Sequence, residues 1–435
     1  MKKEGLKGKT WSLLILFGLI GQIAWIIENM YFNVFLYKTV TQNPNVLAAM
    51  VASSAIVATV TTLIMGVLSD KWGKRKPFIV YGYIIWGFII ASFSLISTAN
   101  VESVFPYANV VMLTATIVVV MGCVMTFFGS LANDAAFNAW VTDITNSQNR
   151  GRAEGLLSIM PLIALLLVFG VLDGLTRADN WTAFFIIVGA MVTLSGVLGI
   201  FILKDKPNIE KTNFDLIYGF RPKNIKENKD LYKVLFLLLL CCIAQQIYFP
   251  FILIYIEYNL GISDYAFILA VVLIVAALIS IIGGRLVDRF GSKPFYFIFN
   301  GIFVVGLILM FLHGIGLSSD SPFFIPSLIG AATLMIGGNM ALIMVLNAAV
   351  RNYTPPTKRG HFNGIRLIFG VMLPMIIGPF IGARIITEGP TYIDEFGVEQ
   401  IVPNAALFVG SAVVALLLFI PMVIMIKKLS TKYYD

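Results

Sequence analysis

GVLSDKWGKRKP, residues 66–77, and GRLVDRFGSKP, residues 284–294, are two versions of one segment, each lying between long apolar runs. Gly66, Leu68, Asp70 and Gly73 recur as Gly284, Leu286, Asp288 and Gly291 at a constant offset of 218. NAWVTDITNSQNRGRAEG (138–155) and NAAVRNYTPPTKRGHFNG (347–364) form a second pair, at a constant offset of 209. There Asn138, Ala139, Val141, Thr145, Arg150, Gly151 and Gly155 meet Asn347, Ala348, Val350, Thr354, Arg359, Gly360 and Gly364. Two independent segments therefore agree that the chain is a duplication, a construction that many membrane proteins share.

Of 435 residues, 58% are apolar and only 12% charged, where a soluble domain has about 25% charged residues. Mean hydropathy is +0.88. Runs long enough to cross the bilayer as helices lie near 11–37, 46–68, 78–98, 108–140, 155–174 and 181–203, then near 232–257, 265–284, 294–313, 325–350, 362–387 and 403–426. They are continuous and rich in Leu, Ile, Val and Phe, unlike the short alternating strands of a membrane barrel. The expectation is an all-α membrane protein of twelve transmembrane helices in two pseudo-symmetric six-helix bundles. Residues 1–203 and 232–435 make the bundles, and 204–231 a cytoplasmic linker with a short surface helix around 214–220.

With a cytoplasmic N-terminus, all Lys and Arg except Lys38, Arg177, Arg366 and Arg384 fall on the inner side, as the distribution of basic residues in membrane proteins requires. Both termini are then cytoplasmic. Topology and anionic headgroups account for the net charge of +8, so nucleic acid is not an expected partner; the bilayer is. The first apolar run is too long for a signal peptide and no cleavage site follows it, so it is expected to remain as span 1. Cys123, Cys241 and Cys242 all lie in apolar segments and offer neither a disulfide framework nor metal spacing. The absence of GxxxxGK[ST] argues against direct ATP drive. No catalytic residues, cofactor or metal are expected, nor an enzymatic activity, and the linker and tails leave no room for the soluble domain of a receptor.

GxxxDxxGKRK between spans 2 and 3 of a duplicated twelve-helix chain resembles the major facilitator superfamily over essentially the whole length. Within it, WGKRKPFIVYG (72–82) is similar to the matching loop of the glycoside-pentoside-hexuronide cation symporters, and GLIGQIAW with Tyr31 and FLYKT in span 1 is a looser echo of them and of proton-coupled sucrose carriers. The resemblance implies a major facilitator fold, a cavity lined mainly by spans 1, 4, 7 and 10, and rocking of one bundle against the other. Span 2 reads AAMVASSAIVATVTTLIMG, without the aspartates of sodium-using relatives. Span 5, GLLSIMPLIALLLVFG, lacks the GPxxG-type signature of drug/proton antiporters.

In the 66–77 loop, glycines permit a tight turn and close helix approach, and Asp70 can accept from Lys74 or Arg75. Gly66, Asp70, Gly73, Lys74, Arg75, Asp143 and Arg150 are the expected inner latch, with Asp288 and Arg289 a weaker copy. Charged groups inside hydrocarbon are costly and default to function; Glu28 and Asp134 are the carboxylates well inside apolar helices, Glu28 the first choice for a proton carrier and Asp134 the second. Span 1 adds Gln22, Asn29 and Asn33 on one stripe, with Trp25 and Tyr31 near it. Span 4 adds Asn133 and Asn138; spans 7 and 10 add Gln245, Gln246, Tyr248, Asn339 and Asn347. Such amides and rings suit a hydroxylated solute, which needs two-way hydrogen bonds and apolar stacking. Glu257, His313 and His361 lie near helix ends. Arg366 and Arg384 read as snorkelling anchors, with Pro374 and Pro379 allowing span 11 to bend. Together these residues predict a monomeric secondary active carrier of a bacterial cytoplasmic membrane, importing a small polar solute such as a sugar or glycoside with protons by alternating access. The alternative is a proton-driven exporter of amphipathic compounds or lipids.

Overall fold

The computed structural model describes residues 8–145, 149–205, 220–316, 318–355, 359–389, 391–393 and 399–426. The side chains of Arg150, Arg359 and His361 lie outside that description, and so do residues 206–219, which hold half of the expected linker and all of its surface helix but Phe220.

Among the described residues, twelve helices are long and apolar enough to span a membrane. Spans 1 to 6 are Gly8–Thr39, Pro44–Trp72, Lys76–Leu95, Val110–Ile144, Arg152–Arg177 and Trp181–Ile202. Spans 7 to 12 are Lys229–Asn259, Tyr265–Phe290, Lys293–Gly316, Phe324–Tyr353, Gly364–Thr387 and Ala406–Ile424. Each overlaps one of the apolar runs, because a helix satisfies its own backbone in hydrocarbon, where no water can. Asparagine caps start spans 4 and 6, with Asn109 accepting from the Met112 N–H and Asn180 from the Ala183 N–H, both at 3.1 Å. The fold is all-α as expected; among the described residues a two-residue ladder, β1 (Tyr392–Ile393) antiparallel to β2 (Glu399–Gln400), lies in the polar stretch before span 12.

The period of the spans is interrupted in a way that hydropathy does not foretell. Segments of π-helix occur at Ile27–Tyr31 in span 1, Ser130–Phe137 in span 4, Val168–Leu172 in span 5, Tyr255–Asn259 in span 7 and Ile368–Met372 in span 11.

The chain divides into two compact units. Unit 1 is Met1–Thr41 with Ile56–Asn213, and unit 2 is Gln42–Ala55 with Phe214–Asp435. The first part of span 2 thus groups with unit 2, where the Gln42 side chain accepts from the Ile401 N–H at 3.3 Å. Each duplicated loop holds its matched glycine at positive φ, Gly73 at 62° and Gly291 at 84°. A side chain there would be strained, which is why glycine stands at both positions.

Candidate functional site

The two carboxylates expected well inside apolar helices fall in π segments, Glu28 in Ile27–Tyr31 and Asp134 in Ser130–Phe137. A widened turn redirects side chains and leaves carbonyls short of their usual partners, and such turns collect at functional sites. Two amides attend to those carbonyls. Asn29 Nδ2 donates to the Trp25 carbonyl at 2.8 Å and Asn33 Nδ2 to the Asn29 carbonyl at 2.9 Å. The expected Gln22/Asn29/Asn33 stripe assumed an unbroken helical period. The π turn breaks that period, and Asn33, only 1% exposed, serves its own helix.

Around Glu28 a polar cluster links spans 1, 3 and 4 inside unit 1. The Thr126 hydroxyl sits within hydrogen-bonding distance of Glu28 Oε1 and 2.9 Å from the Gly122 carbonyl. Glu28 Oε2 is buried and has no partner among the described residues. Asp134, half-buried, lies near enough to act on Glu28 electrostatically. Beside them, Trp25 Nε1 donates to Asn133 Oδ1 at 3.2 Å, Asn133 Nδ2 donates to the Tyr83 hydroxyl at 2.7 Å, and Tyr83 donates to the Phe17 carbonyl at 2.8 Å. Trp25 also packs on Trp86, with ring centroids 5.4 Å apart. Tyr83, Trp86 and Thr126 escaped the sequence reading because they lie in runs that hydropathy treats as plain core.

Glycine at position 21 allows span 1 to come this close: a Cβ there would sit 2.2 Å from Asn133 Nδ2 and 2.7 Å from the Tyr83 hydroxyl. Gly21→Ala is therefore expected to break the Asn133–Tyr83 bond at a cost of about 1–3 kcal/mol, seen as a lower melting temperature of the purified protein; an unchanged melting temperature contradicts this packing.

Tyr31 is not brought to the cluster. It is fully buried, and its hydroxyl donates to Asp173 Oδ1 at 2.8 Å, while Arg177 Nε lies 2.9 Å from Asp173 Oδ2. This buried group was missed because Asp173 stands at the edge of an apolar run; its i,i+4 spacing to Arg177 was the available signal. Asn138 is exposed, and its amide donates to the Asp134 backbone carbonyl at 3.1 Å rather than to the carboxylate.

In unit 2, Asn339 is buried against Cys241, 3.6 Å from its sulfur, and Tyr248 is buried against Phe408, with ring centroids 5.9 Å apart. Both are packed within the bundle. Gln245, Gln246 and Asn347 are half-buried, and Asn347 Oδ1 is without a partner among the described residues.

The latch residues of unit 1 assemble around Arg75. Its guanidinium donates to Ser69 Oγ at 2.6 Å, to Asp143 Oδ2 at 3.0 Å and to Asp70. Asp205 Oδ1 accepts from the Arg75 and Lys76 N–H groups at 2.9 and 2.8 Å, capping span 3. Burial alone would lower the pKa of Arg75, but the bonds to Asp70 and Asp143 and their charges outweigh it and hold the guanidinium above its ordinary value. Two members of the expected set differ: Lys74 is exposed and takes no part, and the Arg150 side chain lies outside the described residues. The weaker copy is not assembled. Asp288 and Arg289 are exposed and form no ion pair among the described residues, Arg289 lying instead over the Phe290 ring, 5.2 Å from its centroid.

Comparison with known proteins places this architecture. The model of the Major Facilitator Superfamily matches residues 11–232 and 234–433. Among solved structures, a mutant of the nucleoside transporter NupG is similar at TM-score 0.71 and 16% identity, covering 96% of this chain and 100% of that one. A bacterial homologue of the human lysosomal transporter Spinster is similar at TM-score 0.65 and 15% identity over 97% and 96% of the two chains. The xylose transporter XylE of E. coli is similar at TM-score 0.64 and 15% identity over 98% of each chain. No curated protein sequence matches significantly.

Proposed function

Because the chain belongs to the Major Facilitator Superfamily and is thus a membrane transporter rather than an enzyme, we propose that it imports a small hydroxylated solute, a sugar or glycoside, together with protons. It works as a single chain in a bacterial cytoplasmic membrane, by alternating access. The hydrogen-bonded chain Trp25–Asn133–Tyr83 beside Glu28 carries this reading. It combines an indole face, an amide with donor and acceptor capacity, and a phenol, the set that a polyol needs. NupG and XylE, by name, carry a nucleoside and xylose, both polyhydroxylated; metal transporters share the fold as well, so the cargo has to be argued from the site.

The proton side rests on Thr126. One hydroxyl hydrogen cannot serve the Gly122 carbonyl and a Glu28 carboxylate together, but both contacts are satisfied when Glu28 is protonated and donates to Thr126. No lysine or arginine pairs with Glu28 among the described residues. Deprotonation forces the hydroxyl to turn, which ties the carboxyl's charge to the packing of spans 1 and 4.

Thermal-shift measurements on the purified protein with monosaccharides, glycosides including nucleosides, amino acids and lipophilic cations test the solute. A ligand at a hundredfold excess over Kd adds about 2.7 kcal/mol. Stabilisation by a sugar or glycoside, removed by Trp25→Ala and Asn133→Ala, is expected. Stabilisation only by amphipathic cations, removed by the same two variants, replaces this reading with export of amphipathic compounds.

A further inference from the structure

The second copy of the latch has become a cavity, and the duplication shows what it has lost. A pocket of about 220 Å³ opens in unit 2 at the turn between spans 8 and 9 and the end of span 10. All its described lining residues except Tyr296 and Val345 fall on the two repeated segments, so those have counterparts in unit 1 at the offsets of 218 or 209. Asp288 stands for Asp70, Lys293 for Arg75 and Asn352 for Asp143. Ala349 stands for Trp140, which is 2% exposed in unit 1 and donates to the Lys204 carbonyl at 3.3 Å. In unit 1 a forked guanidinium bridges two carboxylates, and an indole fills the neighbouring core. In unit 2 the indole is reduced to a methyl group, the fork to a flexible exposed amine and the second carboxylate to an amide.

The consequence is a set of polar groups with nothing to hold. Asp288, Lys293 and Asn352 make no side-chain hydrogen bond or ion pair with any described residue. Val287, in place of Ser69, and Val345 on span 10 add apolar lining to the same pocket.

We propose that this pocket is a second binding site, distinct from the Glu28 cluster, for an organic cation with a planar guanidinium-type head and an apolar or aromatic body. The head takes the place that Arg75 holds in unit 1, with Asp288 accepting its N–H groups in a charge-assisted pair and Asn352 Oδ1 accepting another. The body enters the space opened by Ala349. Lys293 competes through its charge, but its flexible stem lets the ammonium swing into water. The site does not depend on the transported solute being a sugar, since it shares no residue with the proposed transport site.

The probe is phenylguanidinium, titrated calorimetrically into the purified full-length protein, with neutral phenylurea as a control for partition into detergent. Saturable one-to-one binding is expected for phenylguanidinium and not for phenylurea. Asp288→Asn is expected to weaken it about tenfold or more, because the ligand loses its charged partner. Ala349→Trp and Lys293→Arg restore features of unit 1 and are each expected to abolish it, one by filling the cavity and the other by seating a tethered guanidinium on Asp288. If Ala349→Trp fails to fold, Lys293→Arg still decides the matter. Lys293→Met, which removes the competing charge, tightens binding. Absence of binding to the unmodified protein, equal binding of phenylurea, or binding that survives both Ala349→Trp and Lys293→Arg overturns the proposal.

Discussion

Glu28→Gln is expected to abolish accumulation of solute against its gradient while solute exchange across the membrane persists. In vesicles with an imposed pH difference of one unit, a carrier moving one proton per solute can concentrate that solute about tenfold, since one unit corresponds to about 1.4 kcal/mol. Gln keeps the shape of the carboxyl and can still donate to Thr126, so the packing of spans 1 and 4 survives, but it cannot release a proton. The expected accumulation ratio of the variant is about one at any imposed gradient, with counterflow retained. Asp134→Asn, by contrast, leaves Glu28 able to cycle and removes a neighbouring carboxyl that acts on it, so coupling should persist with an altered dependence on pH. If Glu28→Gln still accumulates solute as the unmodified protein does, the carboxyl has no part in coupling; if Asp134→Asn alone collapses accumulation, the two roles are exchanged.

Arg75→Met is expected to give a clear loss of stability. Arg75 is 9% exposed, and its guanidinium holds Asp70, Asp143 and Ser69 together at the ends of spans 2 to 4. Without it two carboxylates face each other. Removing one partner of a fully buried ion pair costs about 3–5 kcal/mol; the Asp70 side chain is 37% exposed, so water recovers part of that, and about 2 kcal/mol remains. A single ammonium cannot reach both acceptors as the fork does, so Arg75→Lys should fall between. The measurement is the thermal midpoint of each purified variant. Because the folded-state pKa of Arg75 is raised, its contribution is complete below the unfolded value and is lost only above the folded one, so an alkaline shift from neutral pH should leave the cluster intact. An unchanged midpoint for Arg75→Met, or loss of the Arg75 contribution at mildly alkaline pH, contradicts this account.

Much of the architecture was legible in the chain itself. Twelve apolar runs became twelve spans because length and hydropathy decide whether a helix can live in hydrocarbon. The repeated GxxxD pattern marked the turn whose glycines take positive φ, and Asp70, Arg75 and Asp143 met as the motif suggested. Asn133 and Trp25 could be chosen from sequence because polar groups in such runs are rare enough to stand out.

Other features were beyond the sequence for definite reasons. A helical wheel carries one fixed angle per residue, so it could not foretell the π turn at Ile27–Tyr31 that interrupts the expected stripe, where Asn29 and Asn33 each donate to a carbonyl of their own helix. Tyr83 and Thr126 became part of the site only because Gly21 lets span 1 approach span 3 and because spans 1 and 4 pack together; no local pattern encodes a meeting between residues so far apart in the chain. The loss of the second latch was written in the repeat, yet its outcome was not. Replacing Trp140 by Ala349 could have been met by collapse of neighbouring side chains, and packing alone decided that an open cavity remains. Composition and periodicity thus determined that this protein is a duplicated set of membrane-spanning helices, since those properties act residue by residue. Tertiary contact decided that the Glu28 carboxyl of span 1 meets the Thr126 hydroxyl of span 4 and which copy of a motif is filled, since both depend on distances between separate helices.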